Sequence, residues 1–252
     1  MTQLYYERYG DGDIKIIGFH GWGADHQKSF AAVIDALPDN TSFYGVDLPG
    51  YGESPLPDLF TYEEVTRCLL EGLDEILGDG ESATVVGACS GSYHALEVAR
   101  SRPDKIDRTV LVEPLAFYPW FLEIFLAPGL GPLLYRVIFD NPLGRLITQW
   151  GMHRRRVANE YDVMESFGRI DLEVPYRYLH FYQQLGEVSQ YRTLPTPTRL
   201  VYGENTWAAV VKSADIWEAT IPQLDPTRVE GVGHLVNQEA PSAVVDALLA
   251  DR

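Results

Sequence analysis

The chain has 252 residues, a formal net charge of −16 and 46% hydrophobic residues. This length and composition fit one large domain or two small ones, and they exclude a disordered or fibrous protein. The negative charge argues against a nucleic-acid partner, because phosphate backbones require a basic face. Two cysteines are too few for a disulfide scaffold.

Targeting signals are not evident. Residues 1–13 lack the basic and apolar regions of a signal peptide. The most apolar stretch, residues 114–139, is interrupted by Glu123, Arg136 and several prolines and glycines, so it does not predict a membrane-spanning helix. We therefore expect a cytoplasmic protein without a stable membrane anchor.

Short apolar runs alternate with segments of helical spacing along most of the chain. Strands are predicted over residues 14–19, 42–47, 83–88, 108–113, 198–203 and 227–231. Helices are predicted over residues 25–37, 61–77, 90–101 and 241–249. This alternation predicts an α/β fold, with a mainly parallel sheet and helices on both faces. Ligands in such folds bind at the carboxyl ends of the strands.

One segment, residues 115–192, interrupts the alternation. It has helical periodicity, many aromatic residues and several Pro and Gly breaks, but no convincing strand. Its eight Arg balance eight acidic residues, so the rest of the chain carries the whole charge of −16. We interpret residues 1–114 and 193–252 as the core, and residues 115–192 as a helical cap over the functional edge of the sheet.

The strongest chemical signal follows the predicted strand 83–88, where Cys89 stands between Gly87 and Gly91. A nucleophile on a sharp turn from strand to helix needs small residues two positions before and after it, because the chain nearly contacts itself there. The N-terminus of the following helix favours both a thiolate and an oxyanion. Cys89 is therefore the candidate nucleophile. Ser90 as nucleophile and a structural, buried Cys89 are the alternatives.

Four motifs resemble those of α/β-hydrolases, in the branch of small capped carboxylesterases similar to pimeloyl-carrier methyl ester esterases. They are FHGWG at 19–23, VDLPGYGES at 46–54, VGACSGS at 86–92 and GVGHLVNQEAP at 231–241. The resemblance covers nearly the whole chain outside the cap. It implies an eight-stranded type of sheet with a cap over the strand ends.

The resemblance also implies roles for two of these motifs. His234 in the last motif would accept the proton of the thiol and deliver it to the leaving group, and a structural loop histidine is the alternative. The backbone N–H groups of Trp22 and Ser90 are the predicted oxyanion hole. His20 is expected to shape this loop, and we place it with the substrate-binding residues.

The acid that completes a catalytic triad is absent from its usual place. The family's aspartate lies three residues after a strand glycine, but here Gly203 is followed at that distance by Thr206. Glu113 ends a predicted strand, at the position where haloalkane dehalogenases of the same superfamily carry their acid. Glu113 is therefore the predicted acid. Glu204 and the absence of any acid are the alternatives.

The cap is expected to provide the substrate-binding surface. Trp120 and Phe121 are predicted to line an apolar site, with packing between cap helices as the alternative. The run His153–Arg156 is either a docking site for a carboxylate or for the phosphate of a carrier-bound substrate, or a solvated helix face.

Together these features predict a hydrolase that acts on an ester, thioester or lactone of an apolar small molecule, which is either free or carrier-bound. No cofactor and no metal site are expected, because no His, Cys and Asp cluster has metal-ligand spacing. Cysteine replaces the serine of most relatives, and its thioester is readily attacked by other acceptors. The alternatives are therefore an acyltransferase, a lyase or cyclase, and a degenerate binder without catalysis.

Overall fold

A seven-stranded sheet organises the chain in the computed structural model, which describes residues 3–154, 164 and 166–250. Its strands are β1 (Tyr6–Tyr9), β2 (Ile14–Phe19), β3 (Thr41–Val46), β4 (Ala83–Ala88), β5 (Ile106–Val112), β6 (Thr198–Gly203) and β7 (Leu224–Val229). The order across the sheet is β1-β3-β2-β4-β5-β6-β7. Every neighbouring pair is parallel except β1 with β3. The predicted fold class is confirmed.

Ten α-helices accompany the sheet within the part of the chain that the structure describes. They are α1 (His26–Ala36), α2 (Tyr62–Ile76), α3 (Gly91–Ser101), α4 (Trp120–Leu126), α5 (Gly131–Phe139), α6 (Pro142–Arg154), α7 (Glu173–Gln183), α8 (Ala208–Thr220), α9 (Val236–Glu239) and α10 (Pro241–Leu249). Two short 3-10 helices, Ser166–Gly168 and Val188–Tyr191, flank α7.

The central strand β4 is buried along its whole length because helices cover both faces of the sheet. Neighbouring residues of β4 contribute to different cores: Val85 packs in the cluster that includes α2 and α3, and Val86 packs in the cluster that includes α1 and α10. Side chains alternate between the two faces of a strand, so a strand buried on both sides has no polar alternation. The sequence predicted six of the seven strands.

Helix starts follow the capping residues of the sequence. The Asp25 carboxylate accepts a hydrogen bond from the N–H of Lys28 at the start of α1, and the Thr61 hydroxyl accepts one from Glu64 at the start of α2. Each side chain satisfies a backbone N–H that has no partner inside the helix. The predicted helices 25–37 and 61–77 therefore match α1 and α2 closely.

One expectation about the sheet is corrected, and one strand was missed. The resemblance implied eight strands, and the described residues form seven. β1 was not predicted, because its four residues are too few for an alternating pattern to stand out. Its antiparallel pairing to β3 places it at the edge of the sheet.

The segment between β5 and β6 contains α4 to α7 and both 3-10 helices, and no strand among its described residues. Its helices share an aromatic core that includes Phe125, Tyr135, Phe139 and Phe167. The basic run 153–156 lies partly outside the described residues: α6 ends at Arg154, and positions 155 and 156 are not described.

Candidate active site

The candidate catalytic residues follow four neighbouring parallel strands. Cys89 follows β4, Glu113 follows β5, Thr206 lies beyond β6 and His234 lies beyond β7. Because the carboxyl ends of parallel strands meet at one edge of a sheet, residues far apart in the sequence converge there. The structure brings Glu113 and His234, separated by 121 positions, into a direct hydrogen bond.

Cys89 occupies a strained turn between β4 and α3. Its φ angle is 50°, in the left-handed region that side chains other than glycine rarely adopt. Its N–H donates to the Val112 carbonyl at 2.7 Å, which holds the turn against β5. A Cβ on Gly87 would lie 2.4 Å from the backbone of Gly91, so the turn requires glycine on the strand side. The Cys89 side chain is half-buried and Cys68 is buried.

Glu113 occupies a second strained position, with a φ angle of 56°. Its N–H donates to the Val201 carbonyl at 2.9 Å. The side chain is buried, with one carboxylate oxygen accepting from the Gly203 N–H at 2.6 Å and the other 2.7 Å from His234 Nδ1. The carboxylate is therefore fixed by the backbone of β6 on one side and directed at the imidazole on the other.

Thr206 stands where relatives would carry their acid, and it contacts both members of this pair. Its hydroxyl donates to Glu113 Oε2, and its Oγ1 lies 3.2 Å from His234 Nδ1. Glu204 lies elsewhere: its carboxylate accepts from Arg228 at 3.2 Å and from the Gly231 N–H at 3.1 Å, at the protein surface. The geometry thus brings Glu113 to the histidine and leaves Glu204 apart.

The environment of His234 favours the imidazolium. Burial lowers the pKa of His234, but its hydrogen bonds with Cys89 and Glu113, together with their charges, raise that pKa to about 10. The Trp207 ring stacks on the imidazole, with centroids 4.1 Å apart and planes 11° from parallel. An indole face attracts a cation and also shields it from water. A charged histidine beside a thiol is the arrangement that stabilises a thiolate.

The loop after β2 lies against the candidate nucleophile. A Cβ on Gly21 would lie 3.5 Å from Cys89 Cβ. Among the described residues, the N–H groups of Trp22 and Ser90 donate to no other protein group. Two free N–H groups beside a nucleophile are what an oxyanion hole requires. The Trp22 indole donates to the Pro175 carbonyl at 2.7 Å, which ties this loop to α7.

His20 holds the loop after β2 in place through both of its ring nitrogens. The side chain is buried, its Nδ1 lies 2.9 Å from the Gly21 carbonyl, and its Nε2 accepts from the Leu48 N–H at 3.0 Å. Burial lowers the pKa of His20, which keeps the ring neutral with its proton on Nδ1. Both ring nitrogens are engaged with the backbone, so neither has a hydrogen bond left to offer a substrate.

The two cap residues predicted to line the substrate site, Trp120 and Phe121, lie on different sides of α4. Phe121 lies beside the site, with its ring 6.1 Å from that of Trp207. Trp120 points outward and is 72% exposed. Successive helix positions are about 100° apart, so one helix turn cannot direct both rings to the same side. The structure therefore brings Phe121 near the imidazole and leaves Trp120 in solvent.

Three residues of the site received no role from the sequence: Thr206, Trp207 and Tyr182. Tyr182 on α7 places its hydroxyl 3.5 Å from His94 Nε2, and burial and the nearby charge of Cys89 raise its pKa. The tyrosine therefore remains protonated beside the nucleophile. The sequence did carry a signal for the first two residues: Thr206 stands at the position where relatives have their acid, and Trp207 is the next residue. Tyr182 belongs to the aromatic residues of the segment 115–192, among which the sequence did not single it out.

Metal-binding clusters were not expected. No group of three or more His, Cys, Asp or Glu suited to a metal ion occurs in residues 3–154, 164 and 166–250.

The sheet topology agrees with a family comparison. The model of the alpha/beta hydrolase family matches residues 16–247. The chain belongs to this family. The match includes the sheet from β2 to β7 and all four motifs that carried the resemblance.

Individual relatives are more distant. The pimeloyl-[acyl-carrier protein] methyl ester esterase of Yersinia enterocolitica is 29% identical over 112 residues, which cover 44% of this chain and 41% of that protein. The chain spans about half the length, or less, of such relatives. The enol-lactonase of Burkholderia xenovorans has a TM-score of 0.76 at 21% identity, with 98% and 96% of the two chains covered. A Thermogutta terrifontis esterase has a TM-score of 0.70 at 23% identity, with 97% and 90% covered. These two structures share the fold.

The pKa of His234 predicts a dependence of stability on pH. The folded-state pKa of about 10 lies above the unfolded value near 6.5, so the stabilisation is complete below about pH 6.5 and is lost as the pH rises through 10. Replacing Glu113 by Gln removes the charge that holds the proton. The free energy of unfolding should fall between pH 7 and pH 10. We expect this fall to be larger in the wild type than in Glu113→Gln, by on the order of 1–3 kcal/mol.

Urea unfolding at several pH values measures this difference. Glu204→Gln is the matched control, because Glu204 does not contact His234, and its curve should run parallel to that of the wild type. Equal slopes for the wild type and Glu113→Gln would contradict a charged, Glu113-bound imidazole.

Proposed function

We propose that the protein hydrolyses an ester or thioester of an apolar acyl group, with Cys89 as nucleophile. The observation that carries this proposal is the buried Glu113–His234 pair, with Nδ1 and Oε2 at 2.7 Å, next to a cysteine on a strained strand-to-helix turn. A carboxylate, an imidazole and a thiol in this order constitute the machinery of nucleophilic acyl transfer.

Glu113 would fix the imidazole in its working orientation. Its carboxylate accepts the Nδ1 proton, so Nε2 is the nitrogen directed at Cys89. Thr206 and the Gly203 N–H hold the carboxylate itself. The Trp207 ring limits rotation of the imidazole from one face. With these contacts, a glutamate directly after β5 would orient the histidine, the role that the family's usual aspartate has after β6.

The first half of the reaction forms the acyl-enzyme. The cycle begins with the thiolate of Cys89 paired with the imidazolium of His234, and the Sγ lone pair attacks the carbonyl carbon of the substrate. The C–S bond forms as the carbonyl electron pair moves to oxygen, where the N–H groups of Trp22 and Ser90 stabilise the negative charge. Collapse of this intermediate expels the alkoxide or thiolate, which takes the proton from His234.

The second half releases the acid. His234 removes a proton from water, and the resulting hydroxide attacks the thioester carbonyl. The second tetrahedral intermediate uses the same oxyanion donors, and its collapse breaks the C–S bond. Cys89 leaves as the thiolate, paired with the imidazolium of His234. The site begins the next cycle in the same charge state.

Residues 115–192 would act as the cap that receives the acyl group. Phe121 and Tyr182 reach the site from this segment, and Trp207 adds a third ring. Apolar walls around a polar catalytic centre favour an apolar acyl chain or ring. The Yersinia enterocolitica relative is a methyl ester esterase for pimeloyl-[acyl-carrier protein]. A methyl ester of an apolar acyl chain is therefore the first substrate to test, in free and carrier-bound form.

Acyl transfer is the second candidate function, and the cysteine favours it. A thioester is attacked by amines, thiols and alkoxides more readily than an oxygen ester. The same acyl-enzyme would then be resolved by an acceptor other than water. Product analysis with and without an added amine or thiol separates the two functions.

Kinetics of variants tests the proposed roles with a short-chain nitrophenyl ester. Cys89→Ala should abolish turnover, and Cys68→Ser should leave it unchanged because Cys68 lies in the core away from the site. Glu113→Gln should lower kcat by roughly 10- to 1,000-fold through loss of the imidazole orientation. Glu204→Gln should retain the wild-type kcat. Turnover in Cys89→Ala, or a loss only in Glu204→Gln, would contradict the mechanism.

A carboxylate at position 206 should rescue the loss of Glu113. Thr206 Oγ1 already lies 3.2 Å from His234 Nδ1, so an aspartate there reaches the same nitrogen. We expect Glu113→Gln with Thr206→Asp to recover at least roughly tenfold of the kcat lost in Glu113→Gln alone. Thr206→Asn in the same background is the uncharged control. Equal activity of the Asp and Asn double variants would contradict the account of the acid.

A further inference from the structure

The segment between β5 and β6, residues 115–192, is called the inserted segment below. Three of its consecutive helices, α4 to α6, expose apolar side chains to solvent. The described residues include 14 large hydrophobic side chains that are exposed, and ten of them lie in residues 120–150. We call these ten the apolar helix face. They are Trp120, Ile124, Leu130, Leu133, Leu134, Val137, Leu143, Leu146, Ile147 and Trp150.

The spacing of these residues is regular. Leu130, at the N-cap of α5, is followed by exposed residues of that helix at positions 133, 134 and 137, and those of α6 occur at 143, 146, 147 and 150. Both sets follow the i, i+3, i+4, i+7 pattern that places side chains on one side of a helix. In a water-soluble helix such a stripe normally faces a core. Here it faces outward.

The opposite side of α5 is also apolar. Tyr135 and Phe139 are buried against the aromatic core of the inserted segment. The outward stripe is therefore additional to the one that folding requires. Scattered exposed apolar residues are normal, but a regular stripe on successive helices marks an interaction surface.

We propose that the apolar helix face docks reversibly on the surface of a lipid bilayer with zwitterionic headgroups. The charge distribution favours this occupant. Residues 120–150 contain Glu123 and Asp140 against Arg136 and Arg145, so this region is balanced while the chain carries −16. The region itself offers no ionic attraction to a charged protein, and the rest of the chain would repel an acidic protein or a second copy of this chain. A zwitterionic surface imposes no such repulsion.

The tryptophans and the helix geometry support a surface position. Trp120 begins α4 and Trp150 lies near the end of α6, and both are exposed. Tryptophan favours the boundary between headgroups and acyl chains. No single described helix is long and apolar enough to cross a membrane, and α4 and α5, which together pass that test, are bent by 110°. Helices bent in this way fit one face of a bilayer.

The same helix connects this surface with the active site. Trp120 points outward from α4, and its neighbour Phe121 contacts Trp207, which stacks on His234. A docked protein would hold its candidate site next to the lipid phase, where apolar esters concentrate. Docking itself requires no chemistry at Cys89, so the two proposals can fail separately.

Flotation with phosphatidylcholine vesicles tests the docking. The full-length wild type should float with the vesicles, and Leu133→Glu with Leu146→Glu should reduce the bound fraction at least roughly tenfold by placing charge in the buried stripe. Leu59→Glu is the matched control, because Leu59 is 70% exposed but lies outside the inserted segment. It should bind like the wild type. Turnover of a soluble ester should be equal in all three proteins.

A measurement on the wild type complements these variants. Brominated phosphatidylcholine should quench the tryptophan fluorescence of the wild type, and less so that of Trp120→Phe with Trp150→Phe. A wild type that neither floats nor is quenched would overturn the proposal. The proposal would also be overturned if the protein did not bind vesicles but sedimented as a lipid-free dimer that Leu133→Glu with Leu146→Glu dissociates. Vesicle binding without ester turnover would contradict only the proposed hydrolase.

Discussion

The arrangement of the site depends on one buried contact, the hydrogen bond between Glu113 and His234. It forms only because β5, β6 and β7 lie in a fixed parallel register, which pairs Val112 with Val201 and Gly203 with Val229. Glu113 accepts its second hydrogen bond from the Gly203 N–H, so the sheet itself holds the carboxylate. A buried carboxylate without such partners would be costly, and with them it keeps the imidazole charged. The strained backbone at Glu113 is consistent with a position under functional constraint.

The sequence predicted much of this because the relevant signals are local. Continuous apolar runs indicated six strands, and the glycines around Cys89 indicated the tight turn. Glu113 was predicted from its place at a strand end, with Glu204 and no acid as alternatives, and the geometry now brings Glu113 to the histidine. The sequence identified Thr206 at the usual position of the acid, but its contact with His234 and the stacking of Trp207 were not predictable, because they depend on how the loops after β6 and β7 meet. α8 was missed because it is weakly amphipathic, and β1 because it is short.

The inserted segment combines two surfaces that the sequence did not separate. Its inner side supplies Phe121 and Tyr182 to the site, and its outer side carries the apolar helix face. Sequence patterning identifies apolar stripes, but it does not say which stripe faces the core when a helix has two. Trp120 illustrates the difficulty, since it was predicted beside the substrate and lies in solvent. The charge balance of this segment, within an acidic chain, fits a role distinct from that of the core.

Rates of iodoacetamide alkylation, followed separately for Cys89 and the buried Cys68 by peptide mass spectrometry, test most directly whether Glu113 holds a charged imidazole beside Cys89. We expect Cys89 of the wild type to react faster than Cys68, and Glu113→Gln to lower the Cys89 rate at pH 6 by at least roughly tenfold. An unchanged Cys89 rate at pH 6 in Glu113→Gln would contradict the account.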